Sequence, residues 1–231
     1  MSLFYKSEKK FYVSVDCIIL GFKNSKLYLL LIKRKFQPLK GQESLMGGFI
    51  HPDENIEDTV HRTLYEYTGI DGVYMEQVGA YGQIGRDTGE RVISIAYYAL
   101  INMALFDEML CRKHHARWVP LDEVGPLVFD HNRIVEDTID RLQRKAAIKP
   151  IGFNLLPEKF TLPQLQALYE AIYAKPFDKR NFRKRMLDMG ILEKQEDKDK
   201  TSSKRGAYFY RFNKDKYDEL LRPGSFFALP D

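Results

Sequence analysis

Residues 47–70 read GGFIHPDENIEDTVHRTLYEYTGI, and the spacing of their apolar positions constrains the local structure more than any other stretch. Ile56, Val60, Leu64 and Tyr67 recur at intervals of four, four and three, which places them on one stripe of a helix over Glu54–Tyr67. Gly69 follows where a left-handed C-terminal cap would fall. Upstream, FYVSVDCIILGF and KLYLLLIKRKF are rich in aromatic, β-branched and aliphatic residues and flank Gly21–Ser25, the pattern of a β-hairpin. Strand-like runs return at VYMEQVGAYGQI and ERVISIAYYALI, around the glycine-containing loop Arg86–Glu90. WVPLDEV is a short extended piece, and residues 132–147 form a second amphipathic helix carrying Ile134, Val135, Ile139 and Leu142. The order β-β-α-β-β-β-α describes an α+β chain, an α/β/α sandwich and not a series of βαβ units.

Pro150, Gly152 and Pro157 then break the pattern, and the charge balance changes at the same place. Residues 1–153 hold 20 basic and 20 acidic residues, whereas residues 154–231 hold 16 and 12 and so carry the whole net charge of +4. Two domains are expected, 1–150 and 154–231. In the second, Thr161 and Gln164 make a capping box with Pro163 in the first turn, opening a helix with Leu165, Leu168, Tyr169 and Ile172 on one face. The connection Ala174–Phe177 leads to Asp178, an N-cap candidate for the helix KRNFRKRMLDM, which ends at Gly190. ILEKQ and AYFYRF read as strands joined by the polar loop EDKDKTSSKRG. Two helices across a short turn followed by a basic-tipped hairpin outline a winged helix-turn-helix.

At about 100° per residue, Phe182, Met186 and Met189 share the core side of the second helix. Arg180, Arg183 and Lys184 face away, with Asn181 near the edge, and together with Lys179 of the same basic run they are candidates to meet phosphates or base edges. The hairpin tip adds Lys198, Lys200, Lys204 and Arg205, with Thr201, Ser202 and Ser203 as hydroxyl donors to phosphate. A basic helix alone is commonly a solvated face; placed second in a helix-turn-helix beside a basic wing, it points to double-stranded DNA.

Other classes fit poorly. The longest apolar run, Leu27–Ile32, is far short of the roughly 20 residues of a membrane helix, and the first residues lack the apolar stretch of a signal peptide. Cys17 and Cys111 are too few for a disulfide framework, so a reduced cytoplasmic setting is expected. His51, His61 and His131 are isolated and His114–His115 lacks ligand spacing, so neither a zinc site nor a Ser/His/Asp triad can be assembled.

The stretch 48–70 resembles the Nudix box, G-x5-E-x7-R-E-U-x-E-E-x-G-U with U aliphatic. Gly48, Glu54, Arg62, Leu64, Glu66, Gly69 and Ile70 match it, while Thr63 and Tyr67 stand where glutamates belong. In Nudix hydrolases those glutamates hold the divalent cations that act on the diphosphate. Here only Glu66 remains, one helical turn from Arg62 and suited to an ion pair with it. The resemblance therefore implies a scaffold that binds and does not hydrolyse, with no cofactor or metal. With LMGGFIHPDEN, the strand pair 78–100, the helix VFDHNRIVEDTIDRL and residues 160–192, the chain resembles the Nudix-related transcriptional regulators over nearly its whole length. That family fuses a Nudix-like sensor to a C-terminal winged helix. The resemblance implies a homodimer on a palindromic operator that releases DNA when a small molecule binds the sensor. Effectors in the family include ADP-ribose and sugars such as arabinose. Loss of the carboxylates points to a pentose, L-arabinose first, with ADP-ribose the alternative effector and ADP-ribose pyrophosphohydrolysis the alternative activity. The effector cleft is expected to be lined by Glu43, Gly47, Gly48, Arg86, Asp87 and Arg91.

Overall fold

The computed structural model describes residues 7–103, 116–200 and 206–220. Its first unit is built on a seven-stranded mixed sheet. Strands β1 (Tyr12–Lys23) and β2 (Lys26–Lys33) form the expected hairpin. Gly21 is still in β1, and the turn is only Asn24–Ser25, both with positive φ. Such a two-residue turn matches the twist of the strands it joins. β3 (Glu43–Ser44) pairs with β2 and β4 (Met46–Phe49) with β1, two short strands that the sequence pattern did not indicate. After helix α1 (Ile56–Thr68) come β5 (Glu76–Tyr81), β6 (Val92–Ile101) and β7 (Ala116–Pro120). The principal strand order is β3-β2-β1-β6-β5, with β4 on β1 and β7 on β2; β1 and β6 run parallel over ten residue pairs. Helix α2 (His131–Ile148) completes the unit.

Because side chains alternate across a strand, β1 serves two cores at once. Val15, Cys17 and Ile19 pack with Val60 and Leu64 of α1, whereas Ile18 and Leu20 pack with Ile134 and Leu142 of α2. Each side chain so buried contributes roughly 1.5–3 kcal/mol relative to exposure. The sheet thus lies between helices, as the sequence pattern predicted.

The second unit has a three-stranded sheet in the order β8 (Phe160–Thr161), β10 (Ala207–Phe212), β9 (Leu192–Asp199). Its helices are α3 (Leu162–Tyr173), α4 (Lys179–Asp188) and α5 (Lys214–Leu220), the last not foreseen from sequence. Thr161 and Gln164 cap α3 reciprocally, and Asp178 caps α4 by accepting from Asn181 N–H. The apolar face of α3 joins the α2-side core of the first unit, so one continuous cluster runs from Ile18 to Phe182. Gln143 of α2 donates to Ile172 O at 2.8 Å, and Tyr173 Oη donates to Gln143 O at 2.7 Å. No helix among the described residues is long and apolar enough to cross a membrane.

Candidate functional site

A cavity of about 270 Å³ opens where β1, the end of β2, β4, α1 and the start of α2 meet. Its floor is an ionic network that sequence spacing missed. Arg86, almost fully buried, grips Asp130 bidentately at 2.9 and 2.7 Å and reaches Asp16 at 3.3 Å. Ser94 Oγ donates to Asp16 at 2.5 Å. The amide of Leu45 is an obligatory donor to His131 Nδ1 (3.1 Å), which leaves the ring proton on Nε2, 3.5 Å from the other Asp16 oxygen. Burial holds the His131 pKa below its usual value, with Asp16 pulling the other way. Gly47 is required by close approach: a Cβ there would lie 2.8 Å from Asp16 Oδ1 and 3.0 Å from the Val15 carbonyl.

The walls carry aromatic rings and cations. Phe49, Tyr67, Arg34, Lys35, Phe36 and Phe129 all line the cavity. Phe129 adopts φ 53°, uncommon for a bulky residue and costly by roughly 1–3 kcal/mol. That conformation sets its ring edge-on to His131 at 5.6 Å and beside the Arg34 guanidinium at 4.9 Å.

Of the residues expected to line the cleft, Gly47, Gly48, Arg86 and Asp87 do so. Glu43 and Arg91 do not. Glu43 is engaged by Arg117 across the sheet at 2.7 Å; Arg91 donates to Gln83 O and lies against Phe11. Arg86 pairs with Asp16 and Asp130 and not with its neighbour Asp87, which accepts from Gly89 N–H. Gly47 and Gly48 belong to β4. A sequence signal existed for Asp16, a lone charge inside the apolar run YVSVDCIIL. His131 is no isolated surface group but a buried part of the floor.

The Nudix-box residues divide into two groups. Glu54 receives Arg62 at 2.6 and 2.9 Å and Thr59 at 3.0 Å, and the Arg62 bond holds its carboxyl down to about 2. Arg62 also donates to Phe49 O, clamping the 49–54 loop onto α1, and Gly69 caps the helix with φ 70°. This half is architectural. Glu66 is half-exposed and pairs with Arg62 at 3.4 Å. The Thr63 hydroxyl is buried, has no hydrogen-bond partner among the described residues and abuts Gly48. Tyr67 presents a phenol whose pKa burial raises. Among the described residues no group of three or more His, Cys, Asp or Glu could hold a metal ion. The donor set does not fit the divalent cation that a Nudix box ordinarily serves.

In the second unit Phe182 and Met186 of α4 are buried and Met189 packs against the same core. Lys179, Arg180, Asn181, Arg183 and Lys184 are all exposed, Arg180, Arg183 and Lys184 on the side away from the core, and among the described residues none of the four cations is paired with a carboxylate. β9 runs further than the sequence pattern indicated, to Asp199, so Lys198 sits in the strand with its ammonium 4.3 Å from the Tyr208 ring centre. Lys194, not anticipated, lies 3.6 Å from the same ring. Lys200 is exposed just past the strand. Thr201, Ser202, Ser203, Lys204 and Arg205 lie outside the described residues, as do Cys111 and His114–His115.

An α/β/α unit with a degenerate Nudix box, joined to a winged helix with an exposed basic face, defines the class. The Nudix domain family matches residues 10–140, and the NrtR DNA-binding winged helix domain matches residues 152–212. The chain is 35% identical over 210 residues to the ADPR responsive transcriptional repressor NtrR of Acinetobacter baylyi, covering 89% of this chain and 84% of that protein. Shewanella oneidensis NrtR complexed with a 27mer DNA superposes with a TM-score of 0.82 at 29% identity, over 95% of this chain and 99% of that one. The NUDIX domain of the same protein complexed with ADP ribose gives 0.52 at 31% identity, over 60% and 92%. The chain is also 34% identical over 128 residues to the ADP-ribose pyrophosphatase of Methanocaldococcus jannaschii, over 54% of this chain and 71% of that protein. The chain therefore belongs to the Nudix-related transcriptional regulators of the NrtR type. The expectation of a pentose effector finds no support in these relatives, whose names speak of ADP-ribose. Missing glutamates bear on a metal, not on the choice of sugar.

Proposed function

We propose that this protein is an ADP-ribose-responsive transcriptional repressor: a homodimer whose α4 helices enter operator DNA and let go when ADP-ribose fills the cleft. The likeness to the Acinetobacter repressor, which spans both units, carries this reading. Geometry supports it. Helix α2 forms the cleft floor at its N-terminal end through Asp130 and His131 and grips α3 further along through Gln143, so a change at the floor has a rigid path to the DNA-binding unit. Lys179, Arg180, Arg183 and Lys184 are the cations that would meet phosphates or bases. Two such helices about one DNA turn apart read a palindrome, hence the dimer.

The Nudix unit is proposed to bind and not to hydrolyse, because two of three clustered carboxylates are replaced by Thr63 and Tyr67. Its likeness to a pyrophosphatase and the retained Glu66 favour one competing reading, a hydrolase of ADP-ribose. Calorimetric titration of the full chain with ADP-ribose and with L-arabinose, paired with a Mg²⁺-dependent turnover assay, separates them. Binding of ADP-ribose alone with no turnover is expected. Steady hydrolysis abolished by Glu66→Gln would make the protein an enzyme.

A further inference from the structure

We infer that the cleft takes the diphosphate of its ligand without a divalent cation, and that Arg34, held between Phe36 and Phe129, recognises it. The inference rests on the ADP-ribose reading of the cleft and adds the group that does the recognising.

Arg34 follows the last residue of β2 and is fixed on three sides. Its backbone N–H donates to Gln42 O at 3.0 Å, and its carbonyl accepts from Gly41 N–H at 2.9 Å. Its Nε donates to Pro38 O at 2.9 Å, so the side chain itself braces the 34–42 loop. The guanidinium carbon lies 5.2 Å from the Phe36 ring centre and 4.9 Å from that of Phe129. Both rings flank a cation that is thereby partly desolvated and pre-oriented. The Nε edge is spent on Pro38, leaving the terminal Nη1/Nη2 fork. Among the described residues Arg34 has no carboxylate partner. A fork of this kind matches two phosphate oxygens. Arg34 lines the same cavity as Tyr67 and His131.

The other charges of the lining are already committed. Arg86 is saturated by Asp16 and Asp130, Glu66 faces Arg62, and Asp87 holds Gly89 N–H. Arg34 and the neighbouring exposed Lys35 are the lining cations that remain, two positive charges for the two negative charges of a diphosphate diester. A divalent cation in the same space would find a buried threonine hydroxyl and a neutral phenol where carboxylates belong, and would be repelled by Arg34. Ordering Arg34 in advance removes entropy that a free arginine would lose on binding.

The test is calorimetry on the full-length chain with two probes, ADP-ribose and inorganic pyrophosphate, each in EDTA and in excess Mg²⁺. ADP-ribose affinity in EDTA should equal or exceed that in Mg²⁺. Arg34→Gln should weaken it by about 10–100-fold, as expected for losing a charge-assisted pair. Arg34→Lys, which keeps charge but loses the fork, should fall between. Thermal melting of each variant verifies that the fold is retained. Binding that disappears in EDTA, or a folded Arg34→Gln protein that binds ADP-ribose as the parent does, overturns the inference. If ADP-ribose fails while pyrophosphate binds in EDTA through Arg34, the effector reading falls and the diphosphate clamp stands. If neither probe binds under any condition, both fall.

Discussion

Replacing Arg86 with methionine removes the cation that holds the cleft floor together while keeping much of the side-chain volume. The Arg86 side chain is only 3% exposed, and its partners Asp16 and Asp130 are 8% and 21% exposed. Taking one partner from a buried ion pair leaves an uncompensated charge and costs about 3–5 kcal/mol. Asp130 reaches some solvent, which places the expected loss near the lower end, about 3 kcal/mol. With a urea dependence on the order of 2 kcal/mol per molar, the unfolding midpoint should fall by about 1.5 M. Trp118, the single tryptophan, sits in β7 of the same sheet and reports the transition by fluorescence. Much of the loss comes from the stranded Asp16 carboxylate, so adding Asp16→Asn to Arg86→Met should restore part of it. A midpoint shift below about 0.5 M, or strict additivity of the two substitutions, would refute the picture of a coupled buried network.

Three further outcomes are expected. Arg183→Ala should cost about 1–3 kcal/mol in operator binding if that side chain reads a base, measured at fixed salt; unchanged binding would contradict α4 as the reading helix. Gln143→Ala removes the donor to Ile172 O, so effector and DNA should each still bind, but the effector-driven change in DNA affinity should shrink, as paired titrations would show. A pH dependence should follow from His131, whose folded pKa is depressed by burial. Its stabilising contribution is complete above the unfolded value of about 6.5 and is lost as pH falls through the folded value, because the unfolded chain takes up the proton first. Urea midpoints should therefore decline on acidification below about 6.5, and less steeply in His131→Gln; parallel profiles would show that the imidazole is not responsible.

Local patterns were the readable part of this sequence. The stripe Ile56–Val60–Leu64, the Thr161–Gln164 box and the Asp178 cap each involve residues within a few positions of one another, and each stands in the structure. The short strands β3 and β4 escaped notice because two to four residues with paired glycines carry no usable periodicity. The cleft floor escaped for a different reason. Asp16, Arg86, Ser94 and Asp130 converge from β1, a loop, β6 and the α2 N-cap, separated by up to 114 positions, and only the sheet brings them together. Glu43 and Arg91 were misplaced by the converse error, since proximity in sequence to cleft residues does not aim a side chain into the cleft. Arg34 carries no signal in the sequence, because the Phe129 ring that it lies against is 95 positions away.

The central claim is a DNA-binding regulator released by ADP-ribose. Its most direct test is fluorescence anisotropy of the full chain on DNA from upstream of its own gene, at one stated salt concentration, with and without ADP-ribose and with L-arabinose as comparator. Tight, sequence-specific binding that ADP-ribose abolishes and L-arabinose leaves intact is the predicted result. Absence of sequence-specific binding under every condition, or specific binding indifferent to ADP-ribose, would contradict it.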